Sequence, residues 1–325
     1  MPLFLTESDV RQLLSLDELR KTMAEALSAF STEAVEQPLR TVLPIGQQAF
    51  MAVMPALIPD TRALGTKLVT FVAGNVERGI KTHFATMVMI NAETGKLETI
   101  MDGSYITEVR TAAVSAVATA HLGRDVDSSV LALLGSGVQA RSHLEALVRV
   151  RAIREVRVWS PNAKRCKQFV QAMRDVAPVR VASDAETAVR DADLIALVTS
   201  ATDPVIRSEW VRDGAQIVAV GACRPDQREM DPVLVARSRL FVDSREAAFT
   251  EAGDIVLAIR DGFIDRGHVV GELGEVIAGR VAGRTTASEV TIFKSLGMAV
   301  EDVAAAHLVV QLARARNVGR ELDLD

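Results

Sequence analysis

From residue 129 onward, apolar strand-like runs alternate with helix-like segments, and this regularity constrains the fold more than any other feature. The runs are SVLALL, EVRVWS, VRVAS, DLIALVTS, QIVAVGA and RLFVDS, and segments such as QARSHLEALVRV separate the earlier ones. Apolar strands separated by helices are typical of a parallel sheet covered on both faces. We therefore predict an α/β fold with a doubly wound parallel sheet over residues 121–299.

A glycine-rich turn follows the first of these strands, opens a helix and fits the pattern G-x-G-x-x-A. Its residues are Gly135, Ser136, Gly137, Val138, Gln139 and Ala140. The first glycine permits a tight turn, the second lets the backbone approach a pyrophosphate, and the alanine allows close packing of helix on strand. Free N–H groups at the helix N-terminus then bind the phosphates. In this context the motif predicts a Rossmann dinucleotide-binding site rather than an ordinary glycine turn.

The end of the next strand distinguishes the two nicotinamide dinucleotides. NAD sites usually place Asp or Glu about 20 residues beyond the glycines, on the ribose 2′-hydroxyl. This strand end has no acid, and its polar and cationic residues are Ser160, Asn162, Lys164 and Arg165. Cations attract a 2′-phosphate, so we favour NADP(H) over NAD(H). The alternative is that Lys164 and Arg165 are solvated residues of the first helical turn.

The first hundred residues have a different pattern. Thr6 precedes acidic residues and a run of leucines at helical spacing, which predicts a capped N-terminal helix. Three strand-like runs then predict a mostly antiparallel sheet. Residues 107–122 are Ala-rich and apolar almost all round, which is typical of a buried helix. A second long helix is expected from Ser295 to about Arg316, packed on this half.

Composition excludes several classes of function. The net charge is −5 and no basic run occurs, so we expect no nucleic-acid partner. No stretch of 18 apolar residues occurs and the N-terminus does not resemble a secretory signal, so we expect no membrane association. Cys166 and Cys223 cannot form a disulfide framework, which favours a reducing, cytoplasmic location. The five histidines show no metal-ligand spacing, so no metal is expected.

A nicotinamide cofactor implies hydride transfer, with the substrate near the carboxyl ends of the parallel strands. Those ends carry Thr199, Ser200 and Gly221. The first half must then supply charged partners, and the candidates are Arg40, Lys67, His83 and Arg110. Position alone does not separate Lys67 or Arg110 from surface cations that bury only their stems.

The chain resembles the ornithine cyclodeaminase/μ-crystallin family over essentially its whole length. The segments that carry the resemblance are GTKLV, MDGSYITEVRTAAVSAVAT, LLGSGVQA, VGACRPDQREMD, FVDS, GELGEVIAG and TIFKSLGMAVEDVAAA. It implies a homodimer in which residues 1–120 and 300–325 form an α+β substrate-binding and dimerisation domain. It also implies chemistry at a carbon that bears an amine or imine next to a carboxylate.

The family pattern assigns roles to several candidates. Arg40, Lys67 and Arg110 match its substrate-binding residues. In that pattern Arg110 clamps the α-carboxylate bidentately with help from Arg40, and Lys67 holds the carboxylate and tunes protonation at the reacting nitrogen. Ser295 and Gly297 match a segment near the nicotinamide.

The role of His83 has two possible interpretations, and two glutamates are expected to be structural. His83 either relays a proton to the imine or is a hydrogen-bonded structural histidine. Glu272 and Glu275 are expected to cap or pair charges, not to catalyse.

One departure from the family pattern bears on the reaction. Cyclodeaminases carry an Asp where this chain has Cys223, and a thiol is a poor substitute for a carboxylate base. Asp226 lies three residues on, outside the aligned position. We therefore predict an NADPH-dependent reductase of cyclic ketimine carboxylates, which forms L-proline or L-pipecolate. The alternatives are an ornithine cyclodeaminase or amino-acid dehydrogenase, and a non-catalytic NADPH-binding protein.

Overall fold

A computed structural model describes residues 1–127 and 129–323, and these residues divide into two compact units. The first unit comprises Met1–Arg110 and Gly297–Asp325, and the second comprises Thr111–Leu296. The predicted boundaries lay after residues 120 and 299, so both observed boundaries come earlier in the chain. The first falls inside one long helix, where a pattern of apolar residues gives no break. Residues 128, 324 and 325 of the predicted domains lie outside the described residues.

The described residues of the first unit form a seven-stranded sheet and four α-helices, one of which continues into the second unit. Its strands are β1 Leu3–Leu5, β2 Thr41–Gly46, β3 Ala49–Ile58, β4 Ala63–Val72, β5 His83–Asn91, β6 Leu97–Asp102 and β15 Arg320–Glu321. The sheet order is β15-β1-β6-β5-β4-β3-β2, antiparallel except for the β1–β6 pair, so the predicted antiparallel meander is confirmed. The helices are α1 Glu7–Leu13, α2 Leu16–Ser31, α3 Ser104–Leu122, which continues into the second unit, and α11 Ala299–Arg316.

Local sequence explains where these helices begin. Thr6 and Asp9 form a capping box at the start of α1, as the Thr6 pattern predicts.

Helix α11 packs against α2 and against strands β3, β4 and β5, which confirms that the C-terminal helix returns to this half. Among the described residues, no helix is both long and apolar enough to cross a bilayer.

The described residues of the second unit form an eight-stranded parallel sheet with helices, which confirms the predicted Rossmann architecture. Its strands are β7 Ser129–Leu134, β8 Ile153–Trp159, β9 Val179–Val181, β10 Leu194–Leu197, β11 Gln216–Ala219, β12 Arg239–Val242, β13 Val269–Glu272 and β14 Thr291–Lys294. Its helices are α4 Val138–Leu147, α5 Ala163–Met173, α6 Ala185–Val189, α7 Pro232–Arg237, α8 Arg245–Glu251, α9 Gly253–Arg260 and α10 Leu273–Ile277.

The strand order places the ligand crevice of this sheet. The order is β13-β12-β14-β11-β10-β7-β8-β9, with every described pair parallel. From β7 the chain runs outward through β8 and β9 and then returns to β10 on the other side. The carboxyl ends of β7 and β10 therefore form a topological switch point, where open α/β sheets bind ligands.

Candidate active-site residues

A buried cluster of charges in the first unit contains three of the four predicted catalytic residues. Lys67 of β4 is 2% exposed, and its Nζ donates to Asp302 Oδ2 at 2.5 Å. Arg110 is 4% exposed; its Nε donates to Asp302 Oδ1 at 2.9 Å and its Nη1 to Glu301 Oε2 at 2.7 Å. Arg40, partly buried, donates from Nη2 to the Gly297 carbonyl at 2.9 Å. The structure thus joins residues that are distant in the sequence.

Strand pairing determines the surroundings of Lys67. In the antiparallel register Lys67 stands opposite Met54 on one side and Met87 on the other, and both methionines are buried. Opposed residues of an antiparallel pair project from the same face, so two methionines flank Lys67 on its face of the sheet. This burial lowers the pKa of Lys67 to about 8, although the carboxylate of Asp302 acts in the opposite direction.

The cluster brings together charges of both signs. Its cations are Lys67, Arg110 and Arg40, and its carboxylates are those of Glu301 and Asp302. The carboxylate of Asp302 is held charged, because the field of Arg110 and Lys67 overcomes the cost of burial and lowers its pKa. Guanidinium groups such as those of Arg40 and Arg110 suit a ligand that carries a carboxylate.

His83, the fourth predicted catalytic residue, lies at the start of β5 and is half-buried. Burial, reinforced by the charges of Lys67 and Arg110, lowers the pKa of His83 to about 4. Its ring forms no hydrogen bond to another described residue. The imidazole is therefore neutral at pH 7, so it can relay a proton but does not store one.

In the second unit, the glycine turn has the geometry that a pyrophosphate requires. Gly135 has a φ of +124°, and a Cβ there would lie 2.7 Å from the Val198 carbonyl oxygen, so the turn excludes a side chain. A Cβ on Gly137, the residue before α4, would meet nothing within 4 Å, which leaves open space beside the helix N-terminus. Ala140 is fully buried, and the buried Oε1 of Gln139 has no hydrogen-bond partner among the described residues. A dinucleotide fits this cradle.

The end of β8 presents the predicted cationic residues to solvent. Asn162 caps α5 by accepting a hydrogen bond from the Arg165 N–H at 3.0 Å. Lys164 and Arg165 are exposed in the first turn of α5. The hydroxyls of Ser136 and Ser160 lie 2.9 Å apart, so they connect the glycine turn to this strand end.

The remaining predicted cofactor residues lie at other strand ends. Thr199 and Ser200 follow β10, and Gly221 follows β11. The Ser295 hydroxyl donates to Asp243 Oδ2 at 3.2 Å at the end of β14. Gly297 belongs to the first unit, next to Arg40.

Cys223 and Asp226 differ in their suitability for chemistry. Cys223 is partly buried and its thiol donates to the Val220 carbonyl at 3.0 Å. Asp226 is exposed and pairs with Arg224 at 3.4 Å. Neither position provides a buried carboxylate that could act as a base.

Sequence reasoning missed several buried charged residues. They are Glu301 and Asp302 in the first unit, and Glu229, Asp254 and Lys294 in the second. The signal for the first pair was present, because two adjacent acids in the otherwise apolar run GMAVEDVAAA need cationic partners when the helix is buried.

Comparisons with known proteins agree with this geometry. The model of the family described as "Ornithine cyclodeaminase/mu-crystallin family" matches residues 1–317. The ketimine reductase mu-crystallin of Rattus norvegicus is 43% identical over 313 residues, which cover 95% of this chain and 96% of the rat protein.

Two solved structures share the whole fold. The structure of Thermococcus litoralis Δ1-pyrroline-2-carboxylate reductase with NADH and L-proline has a TM-score of 0.96 and 34% identity, covering 98% of this chain and 100% of that chain. An archaeal alanine dehydrogenase dimer with bound NAD has a TM-score of 0.94 and 34% identity, covering 100% of this chain and 99% of that chain.

Proposed function

This chain belongs to the ornithine cyclodeaminase/mu-crystallin family, and on that premise we propose that it is an NAD(P)H-dependent reductase of cyclic ketimine carboxylates. The substrates would be Δ1-pyrroline-2-carboxylate or Δ1-piperideine-2-carboxylate, and the products L-proline or L-pipecolate. The observation that carries the proposal is the buried cluster around Lys67 and Arg110, in which an ammonium group and a guanidinium group meet at the carboxylate of Asp302.

The cations of this cluster would bind the substrate. Arg40 and Arg110 would donate hydrogen bonds to its carboxylate. Nε and Nη1 of Arg110 already donate to Asp302 and Glu301. Two of the five N–H donors of Arg110 are thus engaged inside the protein, and we assign the carboxylate jointly to Arg40 and Arg110.

Lys67 would control the protonation of the imine nitrogen of the substrate. Its pKa of about 8 keeps the ammonium group charged at neutral pH and close to its point of proton release. Lys67 would donate to the imine nitrogen and keep it protonated, which makes the adjacent carbon electrophilic. The nicotinamide cofactor, when bound, supplies the hydride that this carbon accepts. Asp302 would hold Lys67 in place throughout.

The cofactor would be NADP(H) in preference to NAD(H). The support is local: Lys164 and Arg165 are exposed at the end of β8, where the ribose 2′-position is read and where no acid stands. The two solved relatives hold NADH or NAD, so the preference rests on this chain's own cations. Replacing both with Ala should weaken NADPH binding about 10-fold or more and leave NADH binding within about two-fold. Equal losses for both cofactors would contradict the assignment.

We also propose a cytoplasmic homodimer. Both cysteines are free thiols, which suits a reducing compartment. Strand β2 lies at the edge of its sheet with every residue exposed, including Leu43 at 59% and Ile45 at 50%. An exposed apolar edge strand is a surface that another chain can cover.

The test measures products as well as cofactor. Δ1-pyrroline-2-carboxylate with NADPH should yield L-proline in stoichiometric amounts, and L-ornithine with NAD or NADP should release no ammonia, because Cys223 replaces the carboxylate base. Efficient ammonia release would establish the cyclodeaminase instead. Tight NADPH binding without turnover of either ring would establish the binding protein.

A further inference from the structure

A buried carboxylate that the proposed mechanism does not use ties together two strand ends in the second unit. Glu229 is fully buried, and its Oε1 accepts hydrogen bonds from both the backbone N–H and the hydroxyl of Thr199, each at 2.7 Å. Its Oε2 accepts from the N–H groups of Gly221 and Ala222 at 2.8 and 3.1 Å. One side chain therefore fixes the loops after β10 and β11.

Glu229 is itself held by buried charges. Asp254 Oδ1 accepts from the N–H groups of Glu229 and Met230 at 2.8 and 2.9 Å. Lys294, at the end of β14, is fully buried with its Nζ 3.4 Å from Asp254 Oδ2. Three adjacent strand ends, those of β10, β11 and β14, thus share one ionic network.

The packing at Gly221 shows how closely the two loops approach. A Cβ at this position would lie 1.8 Å from the Thr199 carbonyl oxygen and 2.4 Å from Glu229 Oε1. No side chain at residue 221 would fit between the two loops, and Glu229 forms hydrogen bonds to both of them.

The position of these loops identifies which half of a dinucleotide they would meet. In the sheet order, β8 lies on one side of β7, and β10 and β11 lie on the other. Lys164 and Arg165 follow β8 and are proposed to bind the ribose 2′-phosphate, so the adenosine half of the cofactor would lie on that side. A dinucleotide that crosses the switch point extends its nicotinamide half toward β10 and β11.

We propose that Glu229 is a positioning residue for the nicotinamide half of the cofactor, acting through Thr199 and Gly221. The inference rests on the proposed function, because it requires that the second unit bind a nicotinamide dinucleotide. Binding of the adenosine half of the cofactor should not depend on Glu229.

The experiment compares two ligands in Glu229→Gln. A glutamine offers one oxygen and one NH2 group, so two of the four donors would face an N–H group instead of an acceptor. We expect NADPH to bind about 10-fold more weakly. The affinity for 2′-phospho-ADP-ribose, which lacks the nicotinamide, should stay within about two-fold of the wild-type value. The fluorescence enhancement of bound NADPH should fall in parallel.

The matched control is Glu275→Gln. Glu275 is also a loop-tying carboxylate, accepting from Glu272 N and Arg245 Nη1 at 2.8 and 2.6 Å, but it lies by β13 at the far edge of the sheet. It should bind both ligands as the wild type does. If Glu229→Gln does not fold, Thr199→Val removes one of the four hydrogen bonds and should weaken NADPH binding a few-fold, again selectively.

Equal losses for both ligands, or no loss for either, would overturn the inference while leaving the proposed function intact. A wild-type protein that binds neither ligand would overturn the proposed function and this inference with it.

Discussion

Lys67 combines a buried position with a counter-ion that is also buried. Desolvation by the sheet and its methionines lowers the pKa of Lys67, and Asp302 limits that shift, so the amine ends at about 8. We expect kcat/KM to fall as pH rises through about 8, because the reaction needs the protonated amine. In Asp302→Asn the carboxylate no longer raises this pKa, so the decline should move to lower pH.

The shift of this alkaline decline is checked by pH–rate profiles of the wild type, Asp302→Asn and His83→Asn. His83→Asn serves as the control, because a group with a pKa of about 4 does not titrate in this range, and its alkaline limb should match the wild type. An alkaline limb that stays in place in Asp302→Asn would show that another group controls the rate.

Arg110 presents a second test at the same cluster. Arg110→Lys keeps the charge that Glu301 and Asp302 require but loses the planar fork, and Lys67→Met keeps the volume but loses the charge. Both should lower kcat/KM by about 100-fold or more, with NADPH affinity within about two-fold of wild type by titration. Arg62→Met, at an exposed pair with Glu93, should leave both quantities unchanged. Parallel loss of NADPH binding would contradict a role confined to the substrate.

Substitution of the two glycines in the turn between β7 and α4 should affect stability and cofactor binding differently. Gly135 has a positive φ and no room for a Cβ, so Gly135→Ala should lower the free energy of unfolding by about 2 kcal/mol or more. Gly137 has an ordinary φ and open space around it, so Gly137→Ala should cost no more than about 1 kcal/mol yet weaken NADPH binding strongly, because the methyl group occupies the pyrophosphate position.

Denaturant unfolding and NADPH titration of both variants separate the two effects. The opposite assignment, with Gly137→Ala unstable and still able to bind NADPH, would refute the pyrophosphate position.

Element-level prediction succeeded where apolar periodicity was long. The β7–α4–β8 unit, the antiparallel meander and α11 were all predicted from pattern, and the structure confirms them. Strand β14 was missed because four residues show no periodicity, although it lies fully buried between β11 and β12. Strand β13 was missed for the same reason.

Charged residues inside those elements were the harder part of the prediction. Glu301 and Asp302 lie in a helix predicted from its apolar residues, and Glu229 lies in a loop. Their partners are up to 235 positions away in the sequence, as in the Lys67–Asp302 pair. No local pattern specifies such a pairing, so the residue pattern and the family resemblance indicated Lys67 and Arg110 but not the carboxylates that hold them.

The whole molecule is expected to be a dimer through the exposed edge of the first unit. Replacing Leu43 and Ile45 of β2 with Lys should disfavour burial of that strand and give a monomer by sedimentation, with the far-UV spectrum unchanged. Val233→Lys, at a 48% exposed apolar residue of α7, should leave the dimer intact. A double variant that sediments as the wild type does would place the interface elsewhere.

We propose that the cations around Lys67 and Arg110 bind the carboxylate of a cyclic ketimine. The most direct test compares initial rates of NADPH oxidation with Δ1-pyrroline-2-carboxylate and Δ1-piperideine-2-carboxylate against the same rings without the carboxylate, Δ1-pyrroline and Δ1-piperideine. We expect turnover of at least one carboxylated ring, and kcat/KM at least about 100-fold lower for its decarboxylated counterpart. Equal rates with and without the carboxylate, or no turnover of either carboxylated ring, would contradict the claim.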